Sequence, residues 1–160
     1  MDDVVITGKV PADEPQRSLR VLAVEDDPGD QMLIQESFAQ HAPHHRLTMV
    51  DDGEEALNFV HRRAPYTDAA PPDIIVLDLN LPKYDGRAVL ADIRSTSALT
   101  AIPVVIFSTS TAPDDIRGTY ELHANAYITK PTDFDEFAAV INSINDFFAR
   151  TARLPASVGA

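Results

Sequence analysis

The sequence predicts an α/β domain, a doubly wound sheet of five parallel strands in the order 2-1-3-4-5. Three observations carry this. Apolar runs alternate with segments of helical period from about Ser18 onward, the beginning of a βαβα series. The run Pro72-Asp73-Ile74-Ile75-Val76-Leu77-Asp78-Leu79-Asn80-Leu81-Pro82 is branched and apolar until it stops at an aspartate, as in a strand buried on both faces. Short right-handed crossovers favour the stated strand order, with a crevice at the ends of the first and third strands, where open sheets bind ligands.

The elements follow in order. A strand is predicted over 19–24 and a helix over 29–41, with Asp27 as its N-cap and Pro28 at its first position. His44-His45 falls in a Pro-containing linker and is read as solvated. A strand over 46–50 and a helix over 54–63 come next. The proline-rich loop from Ala64 to Pro72 is longer than most such connections. Then follow a strand over 73–77, a helix over 86–95, a strand over 103–107, a helix over 114–123 and a strand over 126–129. The last helix, over 133–151, carries Phe137, Val140, Ile141, Ile144, Phe147 and Phe148 as an apolar stripe. Residues 1–17 read as a flexible arm, 18–150 as the domain and 151–160 as a C-terminal tail.

Composition narrows the function classes. At 160 residues the chain fits one domain, without room for a separate output domain. A formal charge of −12 argues against binding DNA, which needs concentrated Lys and Arg. There is no cysteine for a disulfide or thiolate site, no signal-peptide pattern and no apolar stretch long enough to span a membrane, so a cytoplasmic location is expected.

The chemistry gathers at strand ends. Glu25-Asp26-Asp27 follows the first strand, and adjacent acids repel one another unless a cation joins them. With Asp27 assigned to the cap, Glu25 through water and Asp26 directly are the candidate ligands for Mg²⁺, joined by Asp78 and the backbone carbonyl of Asn80. Ser108 follows the fourth strand and Lys130-Pro131 the fifth, offering a hydroxyl and an ammonium to the oxygens of a phosphoryl group. Each signal alone has a plainer reading, as a turn former, a cap or a solvated lysine. Pro131 also suggests a fixed backbone, a cis bond that aims Lys130 inward.

Over residues 18–150 the chain resembles the receiver domains of bacterial two-component response regulators, which have a flavodoxin-like fold. The matching residues are Glu25, Asp26, Asp78, Ser108, Tyr127, Lys130 and Pro131, together with the segments Leu79 to Gly86 and Ala124 to Pro131. The resemblance implies that Asp78 accepts a phosphoryl group from a histidine kinase, with Mg²⁺ and Lys130 neutralising charge. Ser108 and the aromatic Tyr127 then act as the switch. The long loop, the segment Leu122 to Ala126 and the ending from Phe147 to Pro155 resemble the single-domain regulators paired with phytochrome-type histidine kinases, the bacteriophytochromes. In this family kinases dock on the first helix and neighbouring loops, which places Met32, Leu33 and Lys83 near the partner.

Two alternatives stay open at this level. A phosphorelay shuttle or phosphate sink would use the same chemistry at Asp78. A haloacid dehalogenase-type phosphatase also begins with a strand-end aspartate, but usually needs an acid where this chain has Asn80. Phe147 and Phe148 lie about 100° apart on a helix and cannot both point into one small core. With Leu154 they are expected to form a homodimer contact on the C-terminal helix, or else to close the core.

Overall fold

The computed structural model describes residues 17–156. Apart from Arg17, the expected arm lies outside the described residues, as do residues 157–160 of the tail. The elements are β1 (Arg20–Val24), α1 (Pro28–His41), β2 (Arg46–Val50), α2 (Gly53–Val60), β3 (Ile74–Leu77), α3 (Gly86–Ser95), β4 (Val104–Ser108), α4 (Pro113–Glu121), β5 (Ala126–Thr129) and α5 (Phe134–Asp146), which runs into a π-helical turn over Phe147–Thr151. The strands form one parallel sheet in the order β2-β1-β3-β4-β5.

Alternation along β1 divides the core. Leu22 and Val24 face one layer, with Leu57, Val89, Leu90 and Ile93 of α2 and α3. Val21 and Ala23 face the other, with Ile34 and Phe38 of α1 and Phe137, Ile141 and Ile144 of α5. Phe107 and Phe137 meet edge to face at 5.0 Å between ring centres. Burying such a side chain fully contributes about 1.5–3 kcal/mol, so these two layers hold the sheet rigid beneath the site.

Four helices begin at an aspartate whose side chain accepts from the first turn: Asp27 from the Gly29 and Asp30 amides, Asp52 from Glu55, Asp85 from Ala88 and Asp133 from Glu136. Each cap satisfies amides that the helix leaves unpaired, and so sets where the chain turns at the functional edge of the sheet. The proline-rich loop is tied down by Tyr66. Its hydroxyl donates to Glu55 Oε1 at 3.0 Å and its ring packs edge-on against Phe59.

Three expectations need correction. His45 is buried rather than solvated: its Nδ1 accepts from the Leu19 amide at 3.0 Å, anchoring the β2 entry to the start of β1. The predicted final helix does not stay α-helical to Thr151. From Phe147 it winds as a π turn, closed by the Ala152 amide donating to the Phe147 carbonyl at 2.8 Å. Phe147 is half exposed while Phe148 packs against the core, and the two rings meet edge to face at 5.1 Å between centres. Among the described residues the cis peptide is Ala64–Pro65, so Lys130–Pro131 is trans, and Lys130 is aimed inward by its ion pairs instead.

Candidate functional site

The sheet's own ladder positions the acids and the lysine. Past the end of β1 the Glu25 amide still donates to the Val50 carbonyl at 3.1 Å, and past β3 the Asp78 amide donates to Val24 at 3.1 Å. Past β5 the Lys130 amide donates to the Ser108 carbonyl at 2.8 Å. Three functional residues thus sit one step beyond regular strands, on backbone that is already hydrogen-bonded. The loop after β3 comes back close to Asp78. A Cβ on Gly86 would lie 2.1 Å from the Asp78 carbonyl oxygen, so only glycine allows α3 to begin there.

Lys130 is the hub of the site. Its Nζ donates to Glu25 Oε2 at 2.6 Å, to Asp30 Oδ2 at 2.8 Å and to Asp78 Oδ2 at 2.8 Å, with Glu25, Asp78 and Lys130 all buried. Burial alone pulls the ammonium toward its neutral form, but the three carboxylates outweigh it and hold Lys130 charged well above the usual lysine range. Three acids sharing one cation remain under-compensated. Burial raises the Glu25 carboxyl from 4.5 to about 7; the charge of Asp78 pushes the same way, against the hydrogen bonds from Lys130 and the Asp27 amide.

The donor set fits a divalent cation. Glu25, Asp26 and Asp78 each offer a carboxylate oxygen, and these oxygens lie within 4.8 Å of one another. Such all-oxygen ligands suit a hard cation. Asp78 divides its oxygens: Oδ2 meets Lys130, while Oδ1 accepts from the Leu79 amide at 2.7 Å. Asn80 is exposed on the loop that follows.

Ser108 is fully buried at the end of β4, and its Oγ accepts from the Ser110 amide at 3.3 Å. Tyr127 is half-buried on β5. Its hydroxyl donates to the Ser110 carbonyl at 2.7 Å, turning the ring toward the β4–α4 loop. The hydroxyl and the aromatic therefore converge on one loop residue.

Sequence reading missed Asp30. At the third position beyond the Asp27 cap it has the appearance of a first-turn acid that favours the helix dipole, and its reach to Lys130, a hundred residues away, leaves no local signal.

A parallel sheet whose strand-end carboxylate stands beside a buried ammonium and a cation-binding acid pair defines a class of phosphorylation-controlled signalling domain. The chain belongs to the response regulator receiver domain family, whose family model matches residues 21–142. It is 38% identical over 146 residues to the response regulator Rcp1 of Synechocystis sp. PCC 6803, covering 91% of this chain and 99% of Rcp1. Among solved structures it is similar to the phosphorylated cyanobacterial phytochrome response regulator RcpA, with TM-score 0.84 and 43% identity over 88% of this chain and all of that one. The Mn²⁺-bound form of Rcp1 matches with TM-score 0.81 and 39% identity, covering 86% and 99% of the two chains. The protein is thus a two-component response regulator built on a receiver domain, which places it among signalling proteins rather than haloacid dehalogenase phosphatases. Among the described residues no helix is long and apolar enough to cross a membrane.

Proposed function

We propose that the protein is a single-domain response regulator in which Asp78 accepts a phosphoryl group from a phytochrome-type histidine kinase. The observation that carries this is the placement of Lys130 Nζ 2.8 Å from Asp78 Oδ2, with Glu25 and Asp26 beside it. In the transfer a carboxylate oxygen of Asp78 attacks the phosphorus of a phosphohistidine, the P–N bond breaks, and the imidazole leaves with the bonding pair and takes up a proton. Lys130 exchanges a carboxylate partner for a phosphoryl oxygen and keeps its charge in place as negative charge gathers there. Asp26, Asp78, the Asn80 carbonyl and, through water, Glu25 would hold Mg²⁺, which would supply charge neutralisation when bound. Hydrolysis of the acyl phosphate in the same site resets Asp78.

Phosphorylation draws the Ser108 hydroxyl toward the new phosphoryl oxygens, and Tyr127 follows into the space it leaves. The signal then leaves through protein contacts rather than DNA, since the chain carries a charge of −12. Met32 and Lys83 are exposed and Leu33 half-buried, so the kinase-facing surface combines an apolar side chain with a cation. Phe134, the first residue of α5, is exposed as well and adds apolar surface close in sequence to Lys130.

The protein pairs with a second copy through its C-terminal end. Phe147, Phe148 and Leu154 line an apolar groove of about 590 Å³ beside β5 and α5, a surface whose burial favours association.

Likeness to RcpA, a cyanobacterial phytochrome response regulator, supports the choice of kinase. Phosphotransfer from a phytochrome kinase of the same genome, in its two light states and against unrelated kinases, tests it. Transfer that is faster from the phytochrome and changes with light is expected; efficient transfer only from kinases lacking a photosensory module refutes the pairing.

A further inference from the structure

Three carboxylates take every N–H bond of the Lys130 ammonium. Glu25 Oε2 lies 2.6 Å from Nζ, while Asp30 Oδ2 and Asp78 Oδ2 each lie 2.8 Å from it. An ammonium has no fourth hydrogen to offer. Two of these acids have another part in the site, since Glu25 and Asp78 belong with Asp26 to the cation-binding group. Asp30 is outside that group. It stands in the first turn of α1, where its amide donates to the Asp27 cap at 3.3 Å. Its side chain is 24% exposed, against 3% for Glu25 and 7% for Asp78. Without Asp30, Lys130 is still held inward by two buried carboxylates, and no buried charge is left unpaired.

A phosphoryl group on Asp78 brings new anionic oxygens to this nitrogen, which binds them by charge-assisted hydrogen bonds. Asp30 then has two courses, and both disfavour the newcomer. If its carboxylate stays, it repels oxygens that share the same ammonium and offsets part of the positive field there. If it swings out to water, its ion pair with Lys130 is lost. A group that interacts better with the free site than with the occupied one weakens occupation by that difference.

We propose that Asp30 is a counter-charge on Lys130 that weakens the hold of the site on a phosphoryl group. It is a positioning residue, acting through the ammonium, and it sets how far phosphorylation of Asp78 proceeds. The inference rests on the assignment of Asp78 and Lys130 made above and deepens it. With part of the charge of Lys130 taken up by Asp30, more of the neutralisation falls to the divalent cation.

The test uses the full chain with beryllofluoride and Mg²⁺, which together occupy the place of a phosphoryl group on a receiver aspartate, and reads the apparent affinity by calorimetry. Asp30→Asn, which removes the charge and keeps an acceptor, is expected to tighten beryllofluoride binding about three- to tenfold, a modest effect because the side chain is partly exposed. Asp30→Ala should tighten it at least as much; if that variant fails to fold, Asp30→Asn decides. Asp30→Glu, which keeps the charge, should bind more like wild type than like Asp30→Asn. Mg²⁺ affinity without beryllofluoride should fall less than about threefold in Asp30→Asn, since only a distant charge is lost. Folded variants with unchanged or weaker beryllofluoride affinity overturn the proposal, weaker binding marking Asp30 as a prop that keeps Lys130 in place. An Asp30→Glu variant as tight as Asp30→Asn overturns it as well, because charge is then not the cause. So does a Mg²⁺ affinity lowered about tenfold or more, which puts Asp30 in the metal site itself. A wild type that ignores beryllofluoride overturns the assignment of Asp78 and this proposal with it, whereas a responsive wild type with unchanged variants removes the role of Asp30 alone.

Discussion

Lys130 Nζ and Asp78 Oδ2 lie 2.8 Å apart across 52 positions of sequence, and the same nitrogen is shared with Glu25 and Asp30. Asp78 is therefore held by an ammonium on one oxygen and by the Leu79 amide on the other. Because one cation serves three acids, the site keeps surplus negative charge that a divalent ion can neutralise.

Asp78 is the expected phosphoacceptor. Asp78→Asn should reduce hydroxylamine-sensitive labelling by a phosphodonor below detection while the fold is retained. Undiminished acyl-phosphate formation in that variant contradicts the assignment.

Asp26 is exposed beside two buried acids, and cation binding is the role proposed for it. Asp26→Asn should weaken Mg²⁺ binding at least about tenfold, and should stabilise the metal-free protein by about 0.5–1 kcal/mol, because one of the repelling charges is gone. Titration of Mg²⁺ and urea unfolding with and without the ion measure both effects; a variant that binds Mg²⁺ normally removes Asp26 from the ligand set.

Lys130→Ala leaves three carboxylates in the site without their cation. Stability without Mg²⁺ should fall by about 3 kcal/mol, and added Mg²⁺ should recover part of it. Mg²⁺ binding should persist, while phosphorylation no longer produces the change at Ser108 and Tyr127. Urea midpoints and the Tyr127 NMR signal decide this, and a normal conformational response in the variant counts against the lysine.

His45 gives the fold an acid-sensitive joint. Burial, aided by the neighbouring His44 and His41 and opposed by Asp146, holds its imidazole below the ordinary value of 6.5. The unfolded chain therefore binds a proton that the folded chain refuses. Above pH 6.5 this group contributes no pH dependence; below it, stability is lost until the folded-state value is passed. His45→Asn should flatten the pH dependence of the urea midpoint below about pH 6.5. An equally steep profile in the variant excludes the contribution.

The proposed dimer contact rests on Phe147 and Phe148. Wild type should sediment as a dimer at tens of micromolar, and Phe147→Asp should shift it to monomer, since the ring is half exposed and its loss spares the core. A wild type that remains monomeric there ends the proposal.

Much of the architecture is local and was readable. β2, α3 and β5 begin and end at the residues that periodicity and turn residues indicate, and the Asp27 cap follows from Asp before Pro at a helix start. The acids at strand ends were visible because several of them, with a lysine and a hydroxyl, fall at one edge of the sheet, although each alone reads as a turn former or a cap. Asp30 and the burial of His45 were not, since an acid in a first helical turn and a histidine two residues after a proline both have ordinary solvated readings.

By itself, the sequence determined the alternation of strands and helices, the aspartate at the end of β3 and the residue types gathered at the sheet edge, because propensity, period and capping act within a few neighbours. Only the tertiary structure decided which charges meet. The pairs Lys130–Glu25 and Lys130–Asp30 span 105 and 100 positions, and no local pattern encodes a contact closed by sheet topology. The same holds for the π turn at Phe147, which the apolar stripe of the helix does not mark. Burial of His45 belongs there too: the Leu19 amide that turns it inward comes from the start of the neighbouring strand.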